Sequence, residues 1–308
     1  MFVISCVVVL WFRVLGQLGH AENVWSVVLF FGLLVGSYIG LSVADARDWL
    51  RSVLAGPVRR LVIGPALLLG TVLLYAQATG LPVWPRAVGL AAYLCGPVAL
   101  LILQQWTGKG ASVFMFGAAL ALWLPIEFNL LPSLPLPPPD GYDVSQVVGI
   151  VAAFYLFLVA RPLTGVGYTF ALGRRDLRLA VSALAFVAVA ALPFGFLTGF
   201  LTWQPRITLA GLIVTPVVIY LTTALPEEFL FRGVIQNLIS QRWGSRVGLG
   251  TAAVIFGVAH LPDLRYVVLA TLAGLAYGWV YARSGKITAS ALTHAGVDWI
   301  WVLLLSYP

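Results

Sequence analysis

Ionisable side chains inside apolar segments of this 308-residue chain are concentrated after residue 225. The segments TTALPEEFLFRG, VIFGVAHLP and ASALTHAGVDW contain Glu227, Glu228, Arg232, His260, His294 and Asp298. Polar groups are costly inside an apolar helix, so each of these residues is a candidate for function. A carboxylate can act as a general base toward water, a histidine can help to hold that water, and further donors can stabilise an oxyanion. Together these residues offer the parts that peptide hydrolysis needs.

Helical spacing brings these side chains onto shared faces. Glu228 and Arg232 are four residues apart, so they can pair on one face of a helix. Glu227 lies about 100° round that helix and is free to point elsewhere. His294 and Asp298 also have the four-residue spacing. Each segment is therefore expected to present one compact polar face.

The elements that carry these faces are predicted to be membrane helices. Hydrophobic residues make up 61% of the chain and charged residues only 9%, against about 25% charged residues in a soluble domain. Runs of about 20 apolar residues predict an all-α, polytopic transmembrane helix bundle of about ten spans. The candidate spans are 24–43, 61–81, 87–106, 111–127, 144–160, 179–201, 207–240, 247–262, 266–283 and 287–306. The first dozen residues are interpreted as a retained membrane segment.

We divide the chain into N-terminal transmembrane helices of unassigned role over 1–164 and a catalytic transmembrane domain over 165–308. The stretch 207–240 is too long for one straight crossing, and Pro216 and Pro226 are expected to bend it. Counted from a turn near 241–246, Glu227 and His260 both lie roughly 20 Å deep. His294 and Asp298 lie roughly 12–18 Å from Lys286 by the same helical rise. The polar faces are therefore expected to share one buried cavity.

Basic residues lie in alternate loops and account for the net charge of +7. The positive-inside rule therefore places 174–178 and 242–246 in the cytoplasm and the loop 131–143 outside. This pattern indicates orientation in a membrane, and we expect no nucleic acid as a partner. The expected partners are the lipid bilayer and a membrane-associated protein or peptide substrate. The expected location is the cell membrane, as a multi-pass protein of a bacterial inner membrane.

Three short motifs on successive late helices resemble those of the CPBP family, which includes the CAAX prenyl endopeptidase. The motifs are Glu227-Glu228-x-x-x-Arg232, then Phe256-x-x-x-His260, then His294-x-x-x-Asp298. Bacterial relatives in this family are linked to bacteriocin processing and immunity. The resemblance covers roughly 165–308. It implies an intramembrane glutamate-type protease that hydrolyses a peptide bond of a membrane-associated protein or peptide with an activated water.

The resemblance also implies a role for each matching residue. Glu227 would activate the attacking water together with His260, and the Glu228–Arg232 pair would orient Glu227 and brace the site. His294 and the residue at position 298 would bind the oxyanion. The family often has asparagine at this last position, whereas this chain has Asp298, and a carboxylate donates a hydrogen bond only when protonated. Asp298 is therefore expected to orient His294 or to bind a cation instead.

We expect no required cofactor, since Arg232 competes for Glu228 and repels a cation. The alternative is a zinc ion bound by His260, His294 and either Glu227 or Asp298, because catalytic zinc usually takes three protein ligands and a water.

Two other functional classes are open at this stage. The chain could be a non-catalytic membrane immunity or scaffold protein that retains the CPBP fold, although the complete set of glutamates and histidines favours an enzyme. It could be a transporter with a proton relay, which would require ionisable residues throughout the bundle. The predicted spans before residue 200 contain almost none, so hydrolysis is the preferred interpretation.

Overall fold

The computed structural model describes residues 24–78, 82–107, 113–134 and 143–306, and 81% of it is helical. Five of the described helices are long and apolar enough to cross a membrane, at Pro57–Gln77, Val83–Thr107, Arg174–Leu197, Leu264–Ser284 and Ile287–Leu304. Shorter apolar helices cover Gly32–Ser42, Val113–Glu127, Val144–Ala160 and Ser245–Val258. The predicted all-α membrane bundle is confirmed, and the number of about ten spans stays a prediction.

Two sequence-based predictions fall wholly or partly on other parts of the chain. The retained membrane segment over the first dozen residues lies outside the described residues. Residues 135–142 of the loop 131–143 also lie outside them.

The chain divides into two compact units, of which one lies within Trp11–Thr164. Its described helices are α1 (Val24–Ser42), α2 (Ala44–Val53), α3 (Pro57–Ala78), α4 (Val83–Thr107), α5 (Val113–Glu127) and α6 (Val144–Tyr155), the last continuing as a π-helical turn over Leu156–Ala160. The Tyr155 hydroxyl donates to the Arg60 carbonyl at 2.7 Å. A Cβ at Gly64 would lie 2.1 Å from the Tyr155 ring. The contact between α3 and α6 therefore requires glycine at position 64.

The other unit lies within Gly165–Pro308 and contains all of the candidate residues. Its helices are α7 (Arg174–Leu197), α8 (Leu209–Ile213), α9 (Thr215–Ile219), α10 (Leu225–Glu228), α11 (Asn237–Trp243), α12 (Ser245–Val258), α13 (Leu264–Ser284) and α14 (Ile287–Leu304). Two short antiparallel strands, β1 (Thr202–Trp203) and β2 (Leu305–Ser306), pair Thr202 with Ser306.

The long apolar stretch before residue 240 is continuously helical from Thr215 onward and alternates between α and π turns, and the bend expected at its prolines stays a prediction. Pro216 and Pro226 lie within the first two positions of the α segments α9 and α10 respectively. Between and beyond these helices the backbone is π-helical over Tyr220–Ala224 and Phe229–Gln236. Such π turns are rare in proteins, and those that do occur are often found at functional sites. The candidate glutamates lie on α10, between the two π segments.

Polar contacts tie the start of α7 to the junction of α13 and α14. Lys286 Nζ donates to Asp176 Oδ2 at 2.8 Å. The Arg175 guanidinium donates to the Arg283 carbonyl at 3.2 Å. These contacts place the first turn of α7, the last turn of α13 and the start of α14 at the same end of this unit.

Candidate active site

A buried ion pair forms the base of the candidate site. Glu228 and Arg232 are both inaccessible to solvent, and Arg232 Nε lies 3.1 Å from Glu228 Oε2, which confirms the pairing expected from their spacing. The Arg232 guanidinium also donates to the Gly274 carbonyl at 3.2 Å. The central carbon of the guanidinium, Cζ, lies 4.7 Å from the centre of the Phe256 ring and 5.5 Å from the centre of the Tyr277 ring. These contacts offset part of the cost of removing the cation from water, while Arg232 Nη1 has no hydrogen-bond partner among the described residues.

Helix α13, which carries Gly274, packs closely against α12. This close packing brings the Gly274 carbonyl within hydrogen-bonding distance of Arg232. A Cβ at position 274 would lie 3.2 Å from the Ala253 Cα atom. One turn later, Gln236 donates to the Gly278 carbonyl at 3.0 Å, and a Cβ at 278 would lie 2.7 Å from the Gln236 side-chain oxygen. Small residues four apart are a common way to pack membrane helices closely.

His294 stands between three carboxylates. Its Nδ1 lies 3.0 Å from Glu228 Oε1, and its Nε2 lies 3.4 Å from Asp298 Oδ2 and 3.9 Å from Glu227 Oε2. The contact with Asp298 confirms the pairing expected from their spacing. The ring is buried and stacks on Tyr277, with centroids 4.6 Å apart and planes 16° apart. An imidazole can donate from both nitrogens only when it is doubly protonated.

The two adjacent glutamates differ in what surrounds them. The Glu228 carboxylate contacts Arg232 and His294, and the Ser290 hydroxyl donates to it at 2.5 Å. The Glu227 side chain is 37% exposed. Glu228 is therefore held in a fixed orientation by several partners, whereas Glu227 is accessible to a water or a substrate.

His260 lies in the turn beyond α12 and faces the same cavity as His294. This central cavity has a volume of about 280 Å³, and the residues that line it include His260, His294, Asp298, Phe256, Tyr266 and Trp301. His260 Nδ1 is 2.8 Å from the Phe256 carbonyl. This contact assigns the proton of a neutral ring to Nδ1 and makes Nε2 an acceptor. The ring packs against Tyr266 with centroids 4.5 Å apart.

The structure brings the predicted residues of three separate segments together around His294. The Glu227 carboxylate lies beside His294, and its expected placement beside His260 stays a prediction. His260 shares the central cavity with His294 and Asp298.

Sequence reasoning missed three contributors to the site. Ser290 contacts Glu228, Tyr277 stacks on His294, and Tyr266 packs on His260. Ser290 precedes His294 by four residues, so the same helical periodicity that linked His294 to Asp298 was a usable signal. The tyrosines lie on α13, whose contacts with α12 and α14 are not encoded in local spacing.

The zinc alternative requires His260, His294 and a carboxylate to direct their donor atoms at one point. Within the part of the chain that the structure describes, no group of three or more histidine, cysteine, aspartate and glutamate side chains is arranged to hold a metal ion. The His294 nitrogens face carboxylates, and His260 Nδ1 faces a backbone carbonyl. A zinc ion at these residues stays the alternative, and metal content and chelation test it.

The turn after His260 is fixed by a local ion pair. Asp263 accepts from the Arg265 backbone N–H at 2.8 Å and from its guanidinium at 2.7 Å. The hydrogen bonds from Arg265 lower the pKa of Asp263 to about 2. The Arg265 guanidinium also donates to the Thr198 carbonyl at 3.3 Å. The pair therefore stays charged near neutral pH and connects the end of α7 to the start of α13.

Comparison with known proteins supports the resemblance seen in the motifs. Residues 209–300 match the family model of type II CAAX prenyl endopeptidase Rce1-like proteins. The matched range contains Glu227, Arg232, His260, His294 and Asp298. No curated protein and no solved structure was found to match the chain. The resemblance to the CPBP family is confirmed over this range.

Proposed function

Since residues 209–300 carry the Rce1-like family match, we propose that this chain is an intramembrane endopeptidase of the CAAX-protease type. It hydrolyses a peptide bond of a membrane-associated protein or peptide by attack of an activated water. The observation that carries the proposal is the placement of Glu227 and Asp298 at His294, beside a cavity that His260 also lines. General base, donor and substrate space occur there together.

Glu227 is the proposed general base. It takes a proton from a water as the water oxygen bonds to the scissile carbonyl carbon. His260 Nε2 accepts the second hydrogen bond of that water and orients it. The protonated Glu227 then gives its proton to the amide nitrogen, the C–N bond breaks, and a carboxylic acid and an amine are released. Each proton in the sequence has a named donor and acceptor.

His294 is the proposed donor to the oxyanion. Its buried ring is held by Glu228 on one side and lies against Tyr277, so its orientation is set before substrate arrives. Preorganised donors in a site that excludes water are a large contribution to catalysis. The donor is the Nε2–H of His294, which is shared between Asp298 and the oxyanion. Asp298 itself does not contact the oxyanion, because two negative groups in contact would repel each other. The Glu228–Arg232 pair positions both His294 and the backbone of Glu227.

The proposed substrate reaches the site from within the membrane. The central cavity is bounded by α7, α12, α13 and α14 and combines aromatic walls with a few polar groups, a lining that suits an extended peptide with apolar side chains or an attached lipid. We propose a multi-pass location in the cell membrane of a bacterium. The partners are the lipid bilayer and the membrane-associated substrate, and nucleic acid is not among them.

Substrate trapping tests the proposal. Cells expressing the native chain or the Glu227→Gln variant are compared by mass spectrometry of membrane peptides. We expect at least one membrane-associated peptide to accumulate uncleaved with the variant and to co-purify with it. If no membrane peptide differs between the two forms, the non-catalytic scaffold or immunity function gains support and the protease proposal fails.

Asp298→Asn is expected to retain activity within roughly tenfold, because an amide oxygen can still accept from His294. The loss reflects replacement of a charge-assisted hydrogen bond by a neutral one, a difference of about 1 kcal/mol. Asp298→Leu leaves His294 without this acceptor and is expected to lose considerably more. The comparison is made by kcat/KM on the trapped substrate. Equal losses in both variants would contradict the positioning role.

Activity without an added metal is the expected result for the purified protein. Metal content is measured on the active protein, and hydrolysis is followed after exhaustive treatment with a strong chelator. Retained activity supports the proposed water activation by side chains alone. Stoichiometric zinc, with activity lost on chelation and restored by zinc, would replace it with a metal mechanism.

A further inference from the structure

A second cavity in the same unit is apolar and lies apart from the candidate active site. It has a volume of about 420 Å³, within the range of roughly 300–1,000 Å³ that is usual for ligand pockets. We name it the apolar slot. Its lining includes Ser182 and Phe186 on α7, Leu249 on α12, and Ala276 and Trp279 on α13.

An arginine stands one helical turn beyond the slot on each of its three helices. Arg178 precedes Ser182 by four residues, Arg246 precedes Leu249 by three, and Arg283 follows Trp279 by four. Residues three or four apart lie on the same face of a helix. Each arginine is therefore on the helix face that lines the slot, and all three are exposed.

The three arginines lie at one end of the slot. The Arg175 guanidinium donates to the Arg283 carbonyl, which places the start of α7 beside the end of α13. Leu249 lies within 3.4 Å of the Cβ position of Gly278, which places the start of α12 at the same level. The carboxylate of Asp176 in the first turn of α7 is bound to Lys286. The end of the slot is thus strongly positive.

The depth of the slot corresponds to one leaflet. Phe186 lies about 12 Å along α7 from Arg178 at the rise of an α-helix, within the roughly 15 Å of half a bilayer core. A ligand that fills the slot with its charged end at the arginines would therefore have the length and polarity of a leaflet lipid.

We propose that the apolar slot binds an acyl chain of an anionic phospholipid whose phosphate contacts Arg178, Arg246 and Arg283. A neutral lipid or a second copy of this chain would leave the arginine cluster without a counter-charge, so the charge pattern favours an anionic lipid. The positive-inside rule assigns this end of the helices, and hence the lipid, to the cytoplasmic leaflet. The inference depends on the membrane setting and not on the proposed hydrolysis.

Trp279 provides a direct probe of occupancy, because a brominated acyl chain quenches tryptophan fluorescence only at close range. The full-length protein is reconstituted in phosphatidylcholine vesicles that contain a small fraction of either brominated phosphatidylglycerol or brominated phosphatidylcholine. The chain has 11 tryptophans, so total quenching includes all of them. The contribution of the slot is the difference in quenching between the native protein and the Trp279→Phe variant. We expect this component to be larger with phosphatidylglycerol, and to weaken at high salt as the charges are screened.

The arginines are tested by a charge-matched pair of variants. Each arginine near an anionic lipid is worth roughly a fivefold change in affinity, so Arg178→Gln/Arg246→Gln is expected to lose most of the preference for phosphatidylglycerol. The control Arg59→Gln/Arg242→Gln removes the same charge from exposed positions outside the slot. This control should retain the preference for phosphatidylglycerol. Ser182→Phe, which narrows the mouth, should reduce quenching of Trp279 by both lipids.

Two results would overturn the proposal. Equal quenching of Trp279 by the two brominated lipids in the native protein would identify an ordinary lipid boundary rather than a site. A preference for phosphatidylglycerol that falls equally in the slot variant and in its charge-matched control would assign it to net charge alone.

Discussion

Glu227→Gln is expected to lower the rate of peptide hydrolysis by about 10²–10⁴-fold, the usual cost of removing a general base. Glutamine keeps the shape of the side chain but cannot take a proton from water. The variant should still insert and accumulate, since the Glu227 side chain is partly exposed and the buried ion pair beside it is unchanged. The rate is measured with purified protein in vesicles on the trapped substrate.

Glu127→Gln is the matched control for this experiment. Glu127 ends helix α5, in the other compact unit, where its carboxylate accepts from the Trp123 indole. The same chemical change at this position should leave the rate unaltered. A Glu227→Gln protein that cleaves the substrate at near the native rate would remove Glu227 from the role of base.

Arg232→Met is expected to have the largest effect on stability. It removes the cation from a carboxylate that is wholly buried and leaves Glu228 with His294 and Ser290 as its remaining partners among the described residues. Breaking a buried ion pair on one side typically costs about 3–5 kcal/mol. Thermal unfolding of the detergent-solubilised protein should show a large decrease in midpoint, with loss of activity at temperatures where the native protein works.

Two further variants separate the ion pair from general effects of substitution. Arg242→Met changes an exposed arginine and should alter stability by no more than about 0.5 kcal/mol. The double variant Glu228→Leu/Arg232→Met removes both charges and should recover part of the stability, because an apolar pair avoids the cost of a single buried charge. It should not recover activity, since His294 loses the acceptor at Nδ1. Full stability in Arg232→Met alone would show that the pair has no structural role.

The amino-acid sequence by itself determined that this protein is surrounded by lipid, and it determined which side chains pair locally within the site. A chain with 9% charged residues cannot cover a soluble surface, so lipid followed from composition. The pairs Glu228–Arg232 and His294–Asp298 followed from the helical repeat, because residues four apart on a helix are neighbours whatever surrounds them. The π-helical turn at Phe229–Gln236 did not disrupt the first pair.

Only the tertiary structure decided which groups meet across helices. Glu227 lies beside His294, because the rotation of α10 between two π-helical segments sets the direction of its side chain, and its expected contact with His260 stays a prediction. Helix rise estimates depth but not rotation, so the pairing with His294 was not predictable from spacing. The stacking of Tyr277 on His294 and the apolar slot among α7, α12 and α13 likewise depend on how separate helices pack. Such contacts join residues far apart in the chain, and the local period of a helix carries no information about them.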